Sequence, residues 1–424
     1  MQFRRVKGMN DILPDEVGRW HRLEDGFRRT AELHGYSEIR TPVLEPTELF
    51  VRSLGDTTDV VEKEMFTFSR HDESLTLRPE GTAGVARAYV EAKVQSREPV
   101  SRFYYLGPMF RAERPQRGRY RQFHQAGCEI FGDPGPSCDA ELIDMLCGLF
   151  GELGIGELEV CVGSLGGPAS RARYRAALLE YLRPRAGALS EHARARLEVN
   201  PLRILDSKDP RDQEAARGAP AAIDSLDDAD RAHWEALLRA LDALGTPYRV
   251  EAALVRGLDY YTRTLFEIRT TAGSLGAQNT IAGGGRYDAM IAELGGPPVP
   301  AIGFAMGLER LLLAMPEAPA RAPALAYLAP IGEPAIREAL RLARELRRLG
   351  VRAELDGRGN SMKSMLRRAD AMGARLALVL GDDELGREVV KVKDLVERTE
   401  DDLPRASVAE AVRARLAPQR EGAA

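Results

Sequence analysis

The stretch RFYYLGPMFRAERPQRGRYRQFHQAGCEIFG, residues 102–132, decides the fold. RFYYLGPMFR (102–111) and QFHQAGCEIFG (122–132) are rich in aromatic and aliphatic residues and read as two strands. Between them lies a Gly- and Arg-rich connector, RAERPQRGRYR. Residues 100–124 hold six arginines (Arg102, Arg111, Arg114, Arg117, Arg119, Arg121) against Glu113, a local charge of +5. Arginines on two adjacent strands and their hairpin can converge on a phosphate chain, because the planar guanidinium binds it bidentately at fixed geometry.

The flanking sequence supplies the rest of a sheet and its helices. Residues 15–34 put Val17, Trp20, Leu23, Phe27 and Ala31 on one face of an amphipathic helix that Gly35 stops. SEIRTPVLEP reads as a short strand with Pro42 at an edge or end. EMFTFS and SLTLRP, within 60–78, alternate like a hairpin. Residues 139–153 read as a helix and ELEVCVGS as a strand. From 166 to 246 the Ala-, Arg-, Leu- and Asp-rich composition predicts a mostly helical insertion. Strand character returns at YRVEAALVR, LFEIRT and NTIAGG. AMPEAPARAPA (314–324) is a natural linker. Beyond it, strands ALAYLA, VRAEL, RLALVL and EVVKVKD alternate with helices at 334–349, 360–372 and 406–416. The expected fold class is α+β: an antiparallel-sheet domain over 1–320, a helical insertion at 166–246, and an α/β domain over 325–424 with a mixed or parallel sheet.

Composition bounds the function. The 424 residues carry a net charge of −4 and 29% charged residues, an ordinary globular balance. The basic residues comprise 53 Arg and only seven Lys. Four cysteines make neither a disulfide framework nor a CxxC pair. No apolar run follows the charged start and none reaches the ~20 residues of a membrane helix, so a soluble protein of a reducing cytoplasm is expected. GRGNSMKS (357–364) lacks the glycine before Lys363 that a phosphate loop needs. There is no HExxH zinc motif, no nucleophile elbow at Gly163-Ser164, and no dinucleotide fingerprint at GGGRYD (283–288).

FRAERPQRGRYRQFHQAGCEIFG resembles motif 2 of the class II aminoacyl-tRNA synthetases, in the form found in the histidyl-tRNA synthetase family. GYSEIRTPVLEP resembles motif 1 and AIGFAMGLERLLL (301–313) motif 3. LVRGLDYYTRTLFE (254–267) and AGGGRYD (282–288) are similar to the two histidine signatures, and LTLRPEGTAGVAR (75–87) to the amino-acid-binding loop. The tail resembles the anticodon-binding domain of this subgroup. The resemblance implies a homodimer that uses ATP, with Mg²⁺ on its outer phosphates, to activate L-histidine and then charge its tRNA. A catalytically inactive relative, the regulatory subunit of ATP phosphoribosyltransferase, is the alternative. It usually lacks the intact signatures and the tail domain that are present here. Class II enzymes for Pro, Thr or Gly share the tail, but LVRGLDYYTRT and HQAGCEIFG favour histidine.

The resemblance also implies roles. Arg111 and Arg256 are the catalytic cations at the α-phosphate. Arg310 holds the γ-phosphate, Arg119 the nucleotide tail, Phe123 stacks on adenine and Glu113 sits beside it. Glu80 and Thr82 take the substrate ammonium and Gln125 its carboxylate. Glu129 and Tyr261 read the imidazole nitrogens, with Arg256 beside them, and Tyr260 and Tyr287 complete the wall. Gln116 and Arg117, in the loop Pro115–Gly118, face the tRNA acceptor end. Gly283–Gly285 let the backbone pass close to the ligand, Gly283 being a departure from the usual Ala-Gly-Gly, and Ala112 stands where His is common. In the tail, residues 335–375 carry +6, which suits phosphate attraction. The rest of the chain is left with −15, so the −4 average conceals strong polarisation.

Overall fold

Alternation along the strands puts helices on one side of a sheet and a cavity on the other. The computed structural model describes residues 3–55, 58–273, 275, 279–317 and 325–417. The chain divides into two compact units, Met1–Glu317 and Ala318–Ala424. Most of the expected linker, 318–324, lies outside the described residues, as do 418–424.

In the first unit, eight strands run in the order Ser37–Glu38, Ser101–Phe110, Gln122–Phe131, Ala301–Gly307, Thr280–Arg286, Thr262–Thr270, Leu158–Ser164, Arg249–Val250. The six central strands pair antiparallel, and only the two short edge strands join in parallel. Along Gln122–Phe131, Ala126, Cys128 and Ile130 enter the core shared with helices Pro14–Leu33, Pro136–Glu152 and Asp228–Leu244. Gln125 and Glu129 alternate with them and face the other way, as the two-residue period of a strand requires. Strand Thr262–Thr270 does the same, with Phe266 and Ile268 in the core and Glu267 opposite. Helix Pro14–Leu33 starts at a proline, buries Trp20, Leu23, Phe27 and Ala31, and ends before Gly35 at φ +78.

Two expected strands are corrected. SEIRTPVLEP splits into Ser37–Glu38, in the large sheet, and Leu44–Pro46, in a three-stranded sheet with Phe66–Arg70 and Glu73–Leu77. Pro42, with no N–H to donate, lies in the gap. Of YRVEAALVR only Arg249–Val250 is strand; the backbone then turns, with Leu254 N–H donating to Glu251 C=O at 3.0 Å. Residues 166–246 are helices and turns without a strand.

The second unit has a mixed sheet in the order Arg352–Leu355, Leu325–Pro330, Leu376–Leu380, Val389–Asp394, Thr399–Pro404. The first three strands are parallel and the last two antiparallel. Helices Glu333–Arg348 and Val408–Leu416 cover one face and Met362–Ala371 the other. The edge strand Thr399–Pro404 escapes sequence reading because TEDDLP is polar and almost wholly exposed. Cys128, Cys138, Cys147 and Cys161 are all free.

One ion pair locks the first unit. Arg286 and Asp139 have fully buried side chains and pair at 2.7 and 3.0 Å. Asp139 also accepts from Thr264 Oγ1 at 2.6 Å and meets His233 Nε2 at 3.1 Å. Burial pushes its carboxyl up, but His233 and Arg286 outweigh burial and hold it below the usual range. Removing one partner strands a buried charge. Arg286→Met is expected to cost about 3–5 kcal/mol of stability. Urea melts followed by tryptophan fluorescence report on this unit, which holds both Trp20 and Trp234. A loss below about 1 kcal/mol would show that the pair is replaceable.

Candidate active site

The open face of the large sheet carries a cavity of about 450 Å³. The connector after strand Ser101–Phe110 closes as a tight turn, Gln116 and Arg119 exchanging backbone hydrogen bonds at 3.0 and 2.9 Å. Gly118 takes φ +72, a left-handed conformation that suits glycine. This turn sends Arg119 back over the sheet, where it pairs with Glu113 at 3.0 Å. Arg111 donates from Nε to Pro79 C=O at 2.9 Å and lies over the Phe123 ring at 5.3 Å. Arg310, in the first turn of helix Leu308–Ala314, donates from Nη1 to Thr280 C=O at 2.9 Å. Burial, with Arg119 and Arg111 nearby, pushes its guanidinium pKa down. These are partly desolvated cations at one end of a cavity, the arrangement that an anion relieves.

The other end is lined by carboxylates, hydroxyls and rings. Glu80 accepts from the Thr82 and Ala83 amides at 2.7 and 2.9 Å and so caps helix Thr82–Glu91. Burial raises its pKa while the helix amides oppose. Glu129 accepts from Thr82 Oγ1 at 2.7 Å and from the Tyr287 hydroxyl. Burial pushes its carboxyl up to about 8, against the pull of these two hydroxyls. Tyr260 packs between Tyr261 and Tyr287, at 4.5 and 5.5 Å between ring centres. Tyr260 and Tyr261 occupy the turn before strand Thr262–Thr270, and Tyr287 follows strand Thr280–Arg286.

Arg256 joins the two ends. Its Nη1 pairs with Glu267 at 2.8 Å and its guanidinium lies 5.9 Å from the centre of the Tyr261 ring. Burial alone would lower its pKa, but Tyr261 and Glu267 outweigh burial and raise it. Two glycines make room for charged groups. A Cβ on Gly283 would lie 1.9 Å from Arg256 Nη1, and one on Gly303 would lie 1.7 Å from Glu129 Oε2. Gly283 lines the cavity and also leaves room for the Arg256 guanidinium, a contact the sequence did not signal.

Of the expected site residues, Glu80, Thr82, Arg111, Glu113, Arg119, Phe123, Gln125, Arg256, Tyr260, Tyr261, Tyr287 and Arg310 line this cavity. Glu129 sits behind its wall, bonded to two lining residues. Gln116 and Arg117 are exposed at the hairpin tip and do not line it. Sequence reasoning missed Glu267, Glu309, Asp206 and Lys208. Glu309 accepts from the His124 amide at 3.0 Å, next to Arg310 in GLER, and Glu267 closes the quoted LVRGLDYYTRTLFE. Asp206 and Lys208 come from the helical segment, where no local signal marks them. No group of three or more His, Cys, Asp or Glu among the described residues is arranged to hold a metal.

An antiparallel sheet carrying this arginine-lined cavity, with a separate mixed α/β unit behind it in sequence, is the architecture of a class II aminoacyl-tRNA synthetase. The apo histidyl-tRNA synthetase crystal structure from S. aureus matches with a TM-score of 0.83 and 35% identity, over 97% of this chain and 100% of that one. The histidyl-tRNA synthetase family model matches residues 8–311 and the anticodon-binding domain model residues 326–415. The histidine–tRNA ligase of Sorangium cellulosum is 63% identical over 95% of this chain and 94% of that protein, and that of Geobacter metallireducens 51% over 92% and 94%. The chain belongs to the histidyl-tRNA synthetase family. A Bacillus halodurans structure titled as an ATP phosphoribosyltransferase regulatory subunit/histidyl-tRNA synthetase shares the fold alone, at 23% identity and TM-score 0.66, over 90% of this chain and 99% of that one.

Glu129 makes a pH prediction. Its reference carboxyl titrates at 4.5 and the folded one at about 8. Between these values the folded chain keeps a proton that the unfolded chain has lost, so stability falls as pH rises through the interval. Glu129→Gln removes this titration. Its melting temperature relative to wild type is expected to climb between about pH 5 and pH 8. Parallel profiles would mean an ordinary carboxylate.

Proposed function

We propose that this chain is a histidine–tRNA ligase. It joins L-histidine to ATP, giving histidyl-adenylate and pyrophosphate, and then passes histidine to the 3′ end of its tRNA. The observation that carries this reading is one cavity with arginines at one end and a buried Glu–Thr–Tyr cluster at the other, joined through Arg256. In the first step the histidine carboxylate attacks the α-phosphorus. An O–P bond forms as the bond to the pyrophosphate oxygen breaks, with charge gathering on phosphate oxygens. Fixed, partly desolvated cations stabilise that charge without having to reorganise.

Arg111 and Arg256 take the α-phosphate, Arg310 the γ-phosphate and Arg119 the nucleotide tail. Phe123 stacks on adenine, with Glu113 at its edge. Mg²⁺ arrives with the outer phosphates of ATP. Glu80 and Thr82 receive the ammonium group and Gln125 the carboxylate. Tyr261, Tyr260 and Tyr287, with Glu129 behind them on Thr82 and Tyr287, enclose the imidazole, which offers one donor and one acceptor. A side chain without that pair leaves buried polar groups unsatisfied, the strongest basis for rejecting a competitor. Residues 1–320 form the catalytic domain, with 166–246 inserted in it, and 325–424 the anticodon-binding domain. Gln116 and Arg117 meet the acceptor end of the tRNA. The working form is a homodimer in the cytoplasm without a membrane partner. Among the described residues no helix is long and apolar enough to cross a membrane.

Histidine-dependent exchange between ATP and labelled pyrophosphate tests the reading. Exchange is expected with histidine and not with proline, threonine or glycine. Its absence in the pure protein would favour the regulatory-subunit alternative. Arg256→Ala is expected to cut exchange by about 100-fold or more, the order found when one group stabilising transition-state charge is removed, with an unchanged circular dichroism spectrum. Undiminished exchange would remove the role given to Arg256.

A further inference from the structure

Loop 251–261 carries Arg256, Tyr260 and Tyr261 into the cavity but contains neither helix nor strand. Its backbone has no ladder to fix it, so its carbonyls need other partners. The helical segment 166–246 supplies them. Arg203 donates from Nη1 to the Arg256 carbonyl at 2.7 Å and from Nη2 to the Asp259 carboxylate, also at 2.7 Å. Asn200 donates to both oxygens of that carboxylate at 3.1 Å. Arg171 donates to the Asp259 and Tyr261 carbonyls at 3.0 and 3.3 Å. At the far end of the loop, Arg263, at φ +44, pairs with Asp230 at 3.0 Å. Asp230 in turn accepts from the Gly167 amide and Ser170 Oγ.

From these contacts we propose that Arg203 is a positioning residue for the histidine end of the cavity: it bridges the Arg256 carbonyl and the Asp259 carboxylate and so sets where Arg256 and Tyr261 stand. Arg256 is thereby held twice, its backbone by Arg203 and its guanidinium tip by Glu267 at 2.8 Å. The Arg203 side chain is only 9% exposed and that of Asp259 24%, so most of the bridge is withdrawn from water and its hydrogen bonds are the stronger for it. A planar fork that spans two acceptors fixes distance and angle together, which a lysine ammonium does not. Reaction rates are steeply sensitive to placement, a shift of about 1 Å costing on the order of 100-fold. Of the arginines given to phosphate only Arg256 stands on this bridge; Arg111, Arg119 and Arg310 come from other elements and keep ATP bound, so the loss falls on histidine and on the step in which Arg256 meets the α-phosphate.

The proposal rests on the ligase reading, and its test separates the two. Arg203→Met is compared with wild type and with Arg183→Met, which removes an exposed arginine paired with Glu198 in the same segment. In pyrophosphate exchange, Arg203→Met is expected to lower kcat/KM for histidine by about tenfold or more, with the KM for ATP within about twofold. Adding Asp259→Asn should cost little more, because both changes break one bridge. Arg183→Met should match wild type. Amide hydrogen exchange over residues 254–263 should quicken in Arg203→Met alone. If Arg203→Met does not fold, Arg203→Lys should show an intermediate loss for histidine with the KM for ATP again unmoved. Unchanged histidine kinetics and unchanged loop protection would overturn the proposal. So would equal losses for histidine and ATP with a lowered melting temperature. If wild type shows no histidine-dependent exchange, the ligase reading fails, and the loop protection still decides whether Arg203 holds the loop.

Discussion

A guanidinium with no solvent exposure sits under the active-site sheet, and much of the first unit is arranged around it. Arg286 ends one central strand, and its charge is answered by Asp139 near the start of helix Pro136–Glu152. Its remaining donors go to the carbonyls of Asp133 and Gly135, at 2.8–3.0 Å. Through Thr264 and His233, Asp139 also ties in strand Thr262–Thr270 and helix Asp228–Leu244. Desolvating two charges is costly, and only full hydrogen bonding of both makes such a pair tolerable. That condition is met here. The next residue, Tyr287, is a cavity wall and bonds Glu129, so the packing of the sheet and the shape of the site share one anchor.

The cavity uses charge differently from the core. Arg119 and Arg256 each have a carboxylate, Glu113 and Glu267, close enough to hold the side chain in place before any ligand enters. Arg310 and Arg111 donate to backbone carbonyls, which fix direction without cancelling charge. The result is an oriented positive end, while Glu129 keeps its proton near neutrality at the other. A net charge of −4 says nothing of this, because the cavity itself sets Arg111, Arg119, Arg256, Arg310 and Lys208 among Glu80, Glu113, Asp206, Glu267 and Glu309 in a definite arrangement. Long-range attraction for phosphate is set by local arrangement and not by the average.

Legibility in the sequence followed the range of the interactions. The hairpin of Ser101–Phe110 and Gln122–Phe131 was readable because its pattern and its turn are local, and helix Pro14–Leu33 because Trp20, Leu23, Phe27 and Ala31 recur at helical spacing. YRVEAALVR was misread because its apolar residues serve a turn that packs Leu254 against the helical segment. Thr399–Pro404 gave no signal because an edge strand on a two-residue-period partner needs no apolar face of its own. Glu267 and Gly303 were unremarkable in the sequence, since their meaning depends on which strand lies beside them.

By itself, the sequence determined the fold class, most of the strands and helices in their order, and, by its family motifs, many of the side chains that line the cavity. These are properties of local patterning, in which each residue is read against neighbours a few positions away. Only the tertiary structure decided that Gly283 makes room for Arg256, that Glu129 lies behind Thr82 and Tyr287, and that Arg203 holds a loop more than fifty residues downstream. Each of these depends on distance in space between groups far apart in the chain. Burial then fixes their charge state, and burial exists only once the chain has folded.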